Sequence, residues 1–321
     1  MPSRIQGAEG GTAVPGLISV VVPVFNSEDS LRELARRLVA TLENTTAGFE
    51  VILVNDGSRD HSWEVLGEIS RADPRFRAID LMRNYGQHNA LLCGIRAARH
   101  DTVVTIDDDL QNPPEEIRKL LLKLDEGYEV VYGTPLTETH GFWRNLASRV
   151  TKVALQSTMG VETAGKVSAF RAFRTAVRGA FSSYRSPFVS IDVLLTWGAS
   201  RFTSVVVQHE PRRVGASNYT LRKLVTHALN MMTGFSVLPL QLASMAGFSF
   251  TLFGIGVLVY VVARYLLQGT SVQGFPFLAS AIAIFSGAQL FALGMIGEYL
   301  ARMHFRMMER PPYAVRQEKS G

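Results

Sequence analysis

The order of apolar and polar positions divides the chain into two parts. From residue 17 to about 130, short apolar runs alternate with segments whose apolar residues recur every three or four positions. The short runs, such as LISVVVPVF at 17–25, predict buried strands, and the periodic segments, such as SEDSLRELARRLVATLENT at 27–45, predict amphipathic helices. This alternation predicts an α/β domain built on a mostly parallel sheet with helices on both faces.

The same pattern locates the other elements. Strands are predicted at 49–58, 76–84, 101–109, 128–134 and within 202–213, and helices at 61–73, 86–100, 113–127 and 142–160. We place this domain at 17–218, behind a disordered tail at 1–16 that lacks the apolar core of a signal peptide.

Two long apolar stretches follow the domain. Residues 236–267 contain no charged residue before Arg264, and residues 275–297 contain none. Each stretch exceeds the roughly 20 residues that cross a bilayer. We therefore predict a two-helix transmembrane region at 236–300, with helices at about 237–267 and 275–298. Two buried helices of a soluble domain are the alternative.

Basic residues flank these stretches on both outer sides, whereas the joining loop has only the nearby Arg264. The flanking residues are Arg212, Arg213, Arg222, Lys223, Arg302, Arg306, Arg310, Arg316 and Lys319. The positive-inside rule then predicts a multi-pass protein of the inner (plasma) membrane with its N-terminal domain in the cytoplasm. Residues 219–235 predict a juxtamembrane amphipathic helix, and residues 301–321 a cytoplasmic tail.

The lone Cys93 allows no disulfide within one chain, which fits a reducing compartment.

Polar residues follow three of the predicted strands, in the stretches NDGS, RNYGQ and DDDLQ. Ligands of parallel sheets bind beyond the carboxyl ends of the strands. In an extended strand Asp107 and Asp109 share one face and Asp108 takes the other. The first two carboxylates suit a hard divalent cation that also contacts a phosphate, Asp56 suits a base or ribose, and Arg83 suits a phosphate. Taken singly, each stretch could instead be an ordinary solvated turn.

The stretches VVPVFN, NDGSRD, RNYGQHNA, DDDLQNPPEEI and EGYEVVYG, in this order, resemble family 2 glycosyltransferases with the GT-A fold. Further along, SAFRAFR, HEPRRVGASNY and GAQLFALGMIGEYLAR resemble the polyprenyl-phosphate glycosyltransferases. That group includes dolichol-phosphate mannose synthases and, especially similar, the undecaprenyl-phosphate 4-amino-4-deoxy-L-arabinose transferases. The resemblance covers roughly residues 17–315.

The resemblance implies inverting transfer of a sugar from a nucleotide sugar, such as a UDP- or GDP-sugar, to polyprenyl phosphate. It also implies dependence on Mg²⁺ or Mn²⁺, a membrane-bound homotetramer, and no nucleic-acid partner. Catalytic roles fall to Asp109, Arg171 and Arg212, and metal binding to Asp109 and Gln111. Acceptor-phosphate binding is assigned to Arg171, Arg212 and Ser217, and nucleotide-sugar binding to Pro23, Asn26, Asp56, Arg83, Asp107 and Asp108.

The chain departs from the family pattern at three positions. Ser27 stands where a glutamate is usual, Asn218 replaces a lysine of the acceptor loop, and Ala169 occupies the place of a proposed catalytic aspartate. Two alternatives stay open, the first of them because of these departures. One is a catalytically inactive membrane scaffold that binds a nucleotide or lipid. The other is a processive polysaccharide synthase, although no tryptophan here lies in the QxxRW motif typical of those enzymes.

Overall fold

The computed structural model describes residues 14–135, 167–210, 238–268 and 274–320. These residues fall into two compact units. The first contains all the described strands, including the last residues of the chain, and the second contains two long helices. The helices predicted at 142–160 and 219–235 lie outside the described residues.

The strands of the first unit form one mixed sheet in the order β7-β5-β6-β4-β1-β2-β3-β8. They are β1 Val14–Val24, β2 Thr46–Asn55, β3 Phe76–Leu81, β4 Thr102–Thr105, β5 Val130–Pro135, β6 Arg171–Arg174, β7 Phe202–Val207 and β8 Val315–Ser320. Strands β4, β1, β2 and β3 are mutually parallel, β5 pairs in parallel with β7, and β6 and β8 run antiparallel to their neighbours. The predicted mostly parallel α/β sheet is confirmed.

The helices of the first unit are α1 Glu28–Leu42, α2 Ser62–Ala72, α3 Gln87–Ala97, α4 Ile117–Asp125 and α5 Ile191–Thr196, with 3₁₀ turns at Pro114–Glu116 and Thr175–Phe181. Helices α1 to α4 form where the periodic segments predicted them, whereas α5 and the second 3₁₀ turn were not predicted. In α1 the buried residues Leu31, Leu34, Leu38 and Leu42 recur every three or four positions and face the core. In β1, by contrast, Val20, Val21 and Val22 are all fully buried, as expected of a central strand covered on both faces.

The second unit consists of α6, Leu238–Gln268, and α7, Phe275–Met307. Within them, Ala243–Leu267 and Ile284–Ala301 are long and apolar enough to cross a membrane, and neither segment is buried. Phe250 and Phe285 pack edge to face across the pair, with their ring centres 5.8 Å apart. The two helices form where they were predicted, and α7 continues nine residues past the predicted end at 298.

Two boundaries differ from the predicted organisation. Strand β1 already begins at Val14, inside the segment predicted as a disordered tail. The predicted cytoplasmic tail contains β8, which adds an antiparallel strand to the edge of the sheet beside β3. The sequence VRQEKS gave no strand signal because it has no apolar alternation. All five of its partner positions in β3 are buried.

Candidate active site

A cavity of about 260 Å³ opens beyond the carboxyl ends of β1, β2 and β4. It is lined by Pro23, Val24, Phe25, Asp56, Asn84, Gly86, Gln87, Asp107, Asp108 and Asp109. Side chains from all three polar stretches that were singled out in the sequence therefore meet in one place. The parallel order of β4, β1 and β2 brings them together, because it puts the ends of these strands at the same edge.

Asp56 organises the β3–α3 loop on one side of the cavity. Its two carboxylate oxygens accept the backbone N–H groups of Tyr85, at 2.7 Å, and Gly86, at 2.8 Å. Gly57 has a φ of +67°, and a Cβ there would lie 2.6 Å from the backbone of Arg83 and Asn84. Only glycine permits this close approach of the two loops. Asp56 thus fixes the loop that supplies Asn84, Gly86 and Gln87 to the cavity.

The three adjacent aspartates do not lie in a strand. β4 ends at Thr105, and the chain turns through Leu110, which has the left-handed φ of +60°. The alternation of faces that was predicted for Asp107, Asp108 and Asp109 is therefore wrong, because it requires extended backbone. All three residues line the same cavity.

Each aspartate has its own hydrogen-bond partner. Asp107 accepts the Gln87 side-chain amide at 2.6 Å, and Asp108 accepts the backbone N–H of Phe25 at 3.1 Å. Asp109 accepts the backbone N–H of Gln111 at 3.2 Å. The turn is thereby held against α3 on one side and the end of β1 on the other.

Burial and mutual repulsion make this turn costly to ionise. Burial, followed by the charges of Asp109 and Asp108, raises the pKa of Asp107 to about 7, against the smaller opposing effects of Arg171 and Gln87. Burial also raises the pKa of Asp108 to about 6, although hydrogen bonds from Ser27 and Phe25 oppose it. At neutral pH the aspartates of the turn carry closely spaced negative charge, which a bound cation would stabilise.

This pKa shift predicts an unusual pH dependence of stability. A carboxyl group whose pKa rises on folding stabilises the fold below its unfolded pKa, and this contribution is lost as pH rises through the folded pKa. For Asp107 that window runs from about 4 to about 7. Without divalent cations, we expect Asp107→Asn to melt at a higher temperature than the wild type at pH 8. The advantage should shrink as pH falls to 5. A difference in melting temperature that is independent of pH would contradict the shifted pKa.

Two residues predicted to bind the nucleotide sugar lie outside the cavity lining. Arg83 is exposed, and its guanidinium lies 4.7 Å from the ring centre of Tyr85. Asn26 has a left-handed φ of +53° and joins two loops, since it accepts the Arg59 N–H at 2.8 Å and donates its own N–H to the Ser58 hydroxyl at 3.0 Å. Pro23, Asp56, Asp107 and Asp108 do line the cavity.

The predicted phosphate-binding residues divide into two groups. Arg212 and Ser217, like Asn218, lie outside the described residues. Arg171 in β6 is 1% exposed and forms a buried ion pair with Asp192 at the start of α5. The Tyr132 hydroxyl lies 3.2 Å from the same carboxylate. Arg171 does not line the cavity, but its charge lowers the pKa of Asp107.

A divalent cation fits the chemistry of the aspartate turn. Among the described residues no three His, Cys, Asp or Glu side chains form a complete metal-binding group. Mg²⁺ does not require one, because proteins commonly hold it through one or two carboxylates and substrate phosphates. Asp107 and Asp109 line the same cavity and supply such carboxylates, whereas Gln111 does not line it. The donor set therefore fits a cation that is shared with a phosphate ligand.

Comparison with known proteins identifies the family. Residues 19–180, half of the chain, match the family described as "Glycosyl transferase family 2". The chain belongs to this family. The match contains the cavity and β6, so the residues lining the cavity are those of a glycosyltransferase domain.

Relatives of this glycosyltransferase match along nearly the whole chain. An undecaprenyl-phosphate 4-deoxy-4-formamido-L-arabinose transferase of Pseudomonas syringae is 36% identical over 93% of this chain and 89% of its own. A protein of the same name from Edwardsiella ictaluri is also 36% identical, over 93% of each chain. The similarity includes the two apolar helices as well as the catalytic domain.

Solved structures support the fold. Glucosyl-3-phosphoglycerate synthase from Mycobacterium tuberculosis, in complex with Mn²⁺, UDP-glucose and phosphoglyceric acid, has a TM-score of 0.51 at 19% identity. The match covers 68% of this chain and 78% of that one. The same enzyme in complex with phosphoglyceric acid has a TM-score of 0.50 at 20% identity. Together with the family match, these structures confirm the GT-A fold of the catalytic domain.

Sequence reasoning missed several residues of the glycosyltransferase site. Gln87 and Asn84 lie in the RNYGQ stretch, where only Arg83 was singled out, and Phe25 follows the Pro23 strand. Asp192, the buried partner of Arg171, was also missed, since it lies 21 residues away in a short helix. An acidic residue within the apolar stretch SIDVLLTW was the available hint, because a buried carboxylate needs a partner.

Proposed function

We propose that this glycosyltransferase transfers a sugar, with inversion, from a nucleotide-sugar donor to undecaprenyl phosphate. The observation that carries the proposal is the convergence of Asp56, Asp107 and Asp109 in one cavity at the strand ends. The relatives named as undecaprenyl-phosphate transferases, which match over 93% of this chain, support the lipid acceptor.

The donor occupies the cavity in this proposal. Asp56 and Pro23 lie at the β1 and β2 side, where they suit the base and ribose, and the aspartate turn lies at the β4 side, where the diphosphate reaches a cation. Asp109 and Asp107 would hold Mg²⁺ or Mn²⁺ together with diphosphate oxygens. When bound, that metal neutralises the charge that develops on the departing nucleoside diphosphate.

The acceptor needs little activation. A phosphate monoester has a second pKa near ~6, so at neutral pH it is already an anionic nucleophile. Its oxygen attacks the anomeric carbon as the bond from that carbon to the nucleoside diphosphate breaks, which inverts the configuration. This chemistry accounts for Ala169 at the position of the family's proposed base. Arg212 and Ser217 are proposed to bind the acceptor phosphate, whereas Arg171, which is buried in its ion pair with Asp192, is proposed to act through its charge on Asp107.

The membrane supplies the acceptor. We propose that α6 and α7 cross the inner membrane as a hairpin, with the catalytic domain in the cytoplasm, and that the protein assembles as a homotetramer. The large apolar side chains along both helices are exposed, as lipid-facing side chains would be.

A reconstituted assay tests the proposal. Purified protein in detergent would be mixed with undecaprenyl phosphate, Mg²⁺ or Mn²⁺ and one of a set of UDP- and GDP-sugars, including UDP-4-deoxy-4-formamido-L-arabinose. We expect one donor to release nucleoside diphosphate and form one lipid-linked sugar, measured by mass spectrometry. Products with several sugars would indicate a processive synthase. Donor binding without turnover for every sugar would indicate an inactive scaffold.

A further inference from the structure

The last residues of the chain form part of the catalytic domain. β8 pairs antiparallel with β3, with Arg77 opposite Ser320 and Leu81 opposite Val315. Its side chains are mostly polar, and ionic contacts hold it at the end far from the cavity: Glu318 pairs with Arg77 at 2.7 Å, and the Lys319 ammonium lies 4.2 Å from the Trp63 ring centre.

Arg316 lies at the other end of β8, beside the last residues of β3. Its Nη2 donates to the carbonyl oxygen of Met82 at 2.7 Å, and its Nη1 lies 3.4 Å from Asp80 Oδ2. The Met82 N–H donates to the Ala314 carbonyl at 2.9 Å. Met82 comes directly before the loop of residues 83–87, which contributes three residues to the cavity lining.

Asp80 extends this contact into the protein. Its side chain is buried, and Oδ1 accepts the Asn55 amide at 2.8 Å. Asn55 Oδ1 in turn accepts the N–H of Ser58, at 3.2 Å, in the turn that follows Asp56. A buried carboxylate requires compensating charge or hydrogen bonds. Arg316 supplies positive charge beside the Asp80 carboxylate. Asn55, which donates to that carboxylate, also holds the turn that follows Asp56.

We propose that Arg316 is a positioning residue for the donor site. From the edge strand β8, it fixes the Asp80 carboxylate and the Met82 carbonyl. The Asp56 turn and the β3–α3 loop then keep the spacing at which Tyr85 and Gly86 donate to Asp56. The expected effect of Arg316 on donor binding rests on the proposed function of the cavity. Its expected effect on the order of the β3–α3 loop does not.

Hydrogen exchange of the full-length protein tests the consequence for the loop. We expect Arg316→Ala to accelerate amide exchange in peptides spanning residues 83–90 by about tenfold, the effect of losing a hydrogen bond to a charged group. Lys319→Ala is the matched control, because it weakens β8 at the far end. It should leave that region within about twofold of wild type. Equal acceleration in both variants would mean that Arg316 only anchors the strand, and unchanged exchange in Arg316→Ala would overturn the proposal.

Steady-state kinetics with the active donor tests the consequence for the site. We expect Arg316→Ala to raise the donor KM about tenfold and to change kcat by less than about threefold, because the cavity is displaced while the reacting groups remain. Arg316→Lys, which keeps the charge beside Asp80, should recover part of the KM. A lower kcat at unchanged KM would overturn the proposal. If wild-type protein transfers no sugar, the proposed function fails while the exchange experiment still decides the role of Arg316.

Discussion

Asp109→Asn is expected to lower kcat/KM for sugar transfer by about 10²- to 10³-fold while the protein keeps its wild-type melting temperature. Asp109 lines the cavity, and its backbone turn is set by Leu110 and by the hydrogen bond from the Gln111 N–H. An asparagine oxygen can still accept that bond, so the turn should survive. What disappears is a negative charge beside the proposed diphosphate and its cation. Initial rates over a range of Mg²⁺ and Mn²⁺ concentrations measure the effect.

Asp108→Asn is the matched control for this experiment. Asp108 lies one residue away in the same cavity, but its carboxylate already receives the Phe25 N–H and the Ser27 side chain. It therefore joins the turn to the end of β1, and an amide can retain the Phe25 contact. We expect a loss of transfer within about tenfold. An equal loss in both variants would show that the total charge of the turn matters rather than the particular carboxylate, and full activity of Asp109→Asn would exclude it as the metal ligand.

The sheet and its helices were predictable because their signals are local. A fully buried strand such as β1 reads as an unbroken apolar run, and α1 reads as a leucine repeat. Since the strands are parallel, the position of the cavity followed from the order of the elements alone. The signal of the two long apolar helices was equally local, because an uncharged stretch of more than 20 residues is typical of a membrane-spanning helix.

The contacts that were not predicted depend on residues far apart in the chain. Where β4 ends is decided by the left-handed turn at Leu110, and the letters TIDDDL fit a continuing strand equally well. β8 is held against β3 by ion pairs such as Arg77–Glu318, which join residues 241 positions apart. Neither TIDDDL nor VRQEKS has a periodic pattern from which these distant contacts could be predicted. The prediction that Asp107 and Asp108 lie on opposite faces was wrong because β4 ends before them.

Asp192→Asn is expected to have the largest effect on stability. Asp192 is 8% exposed and pairs with Arg171, which is 1% exposed. The substitution leaves the guanidinium buried without a countercharge, which typically costs about 3–5 kcal/mol. For a domain of this size, the melting temperature should fall by about 10 °C. Thermal unfolding of the purified full-length protein measures it, and a fall of less than about 2 °C would show that the pair is not buried in solution.

Replacing both partners separates the structural role of Arg171 from its proposed role in catalysis. In Arg171→Met/Asp192→Leu no charge is left unpaired, and apolar replacement of a buried ion pair is often neutral for stability. We therefore expect the double variant to recover most of the melting temperature that Asp192→Asn loses. Transfer should nevertheless fall more than about tenfold, because Arg171 is a positive charge that favours the ionised form of Asp107, which lines the cavity. A stable double variant with wild-type transfer would show that Arg171 has a structural role only.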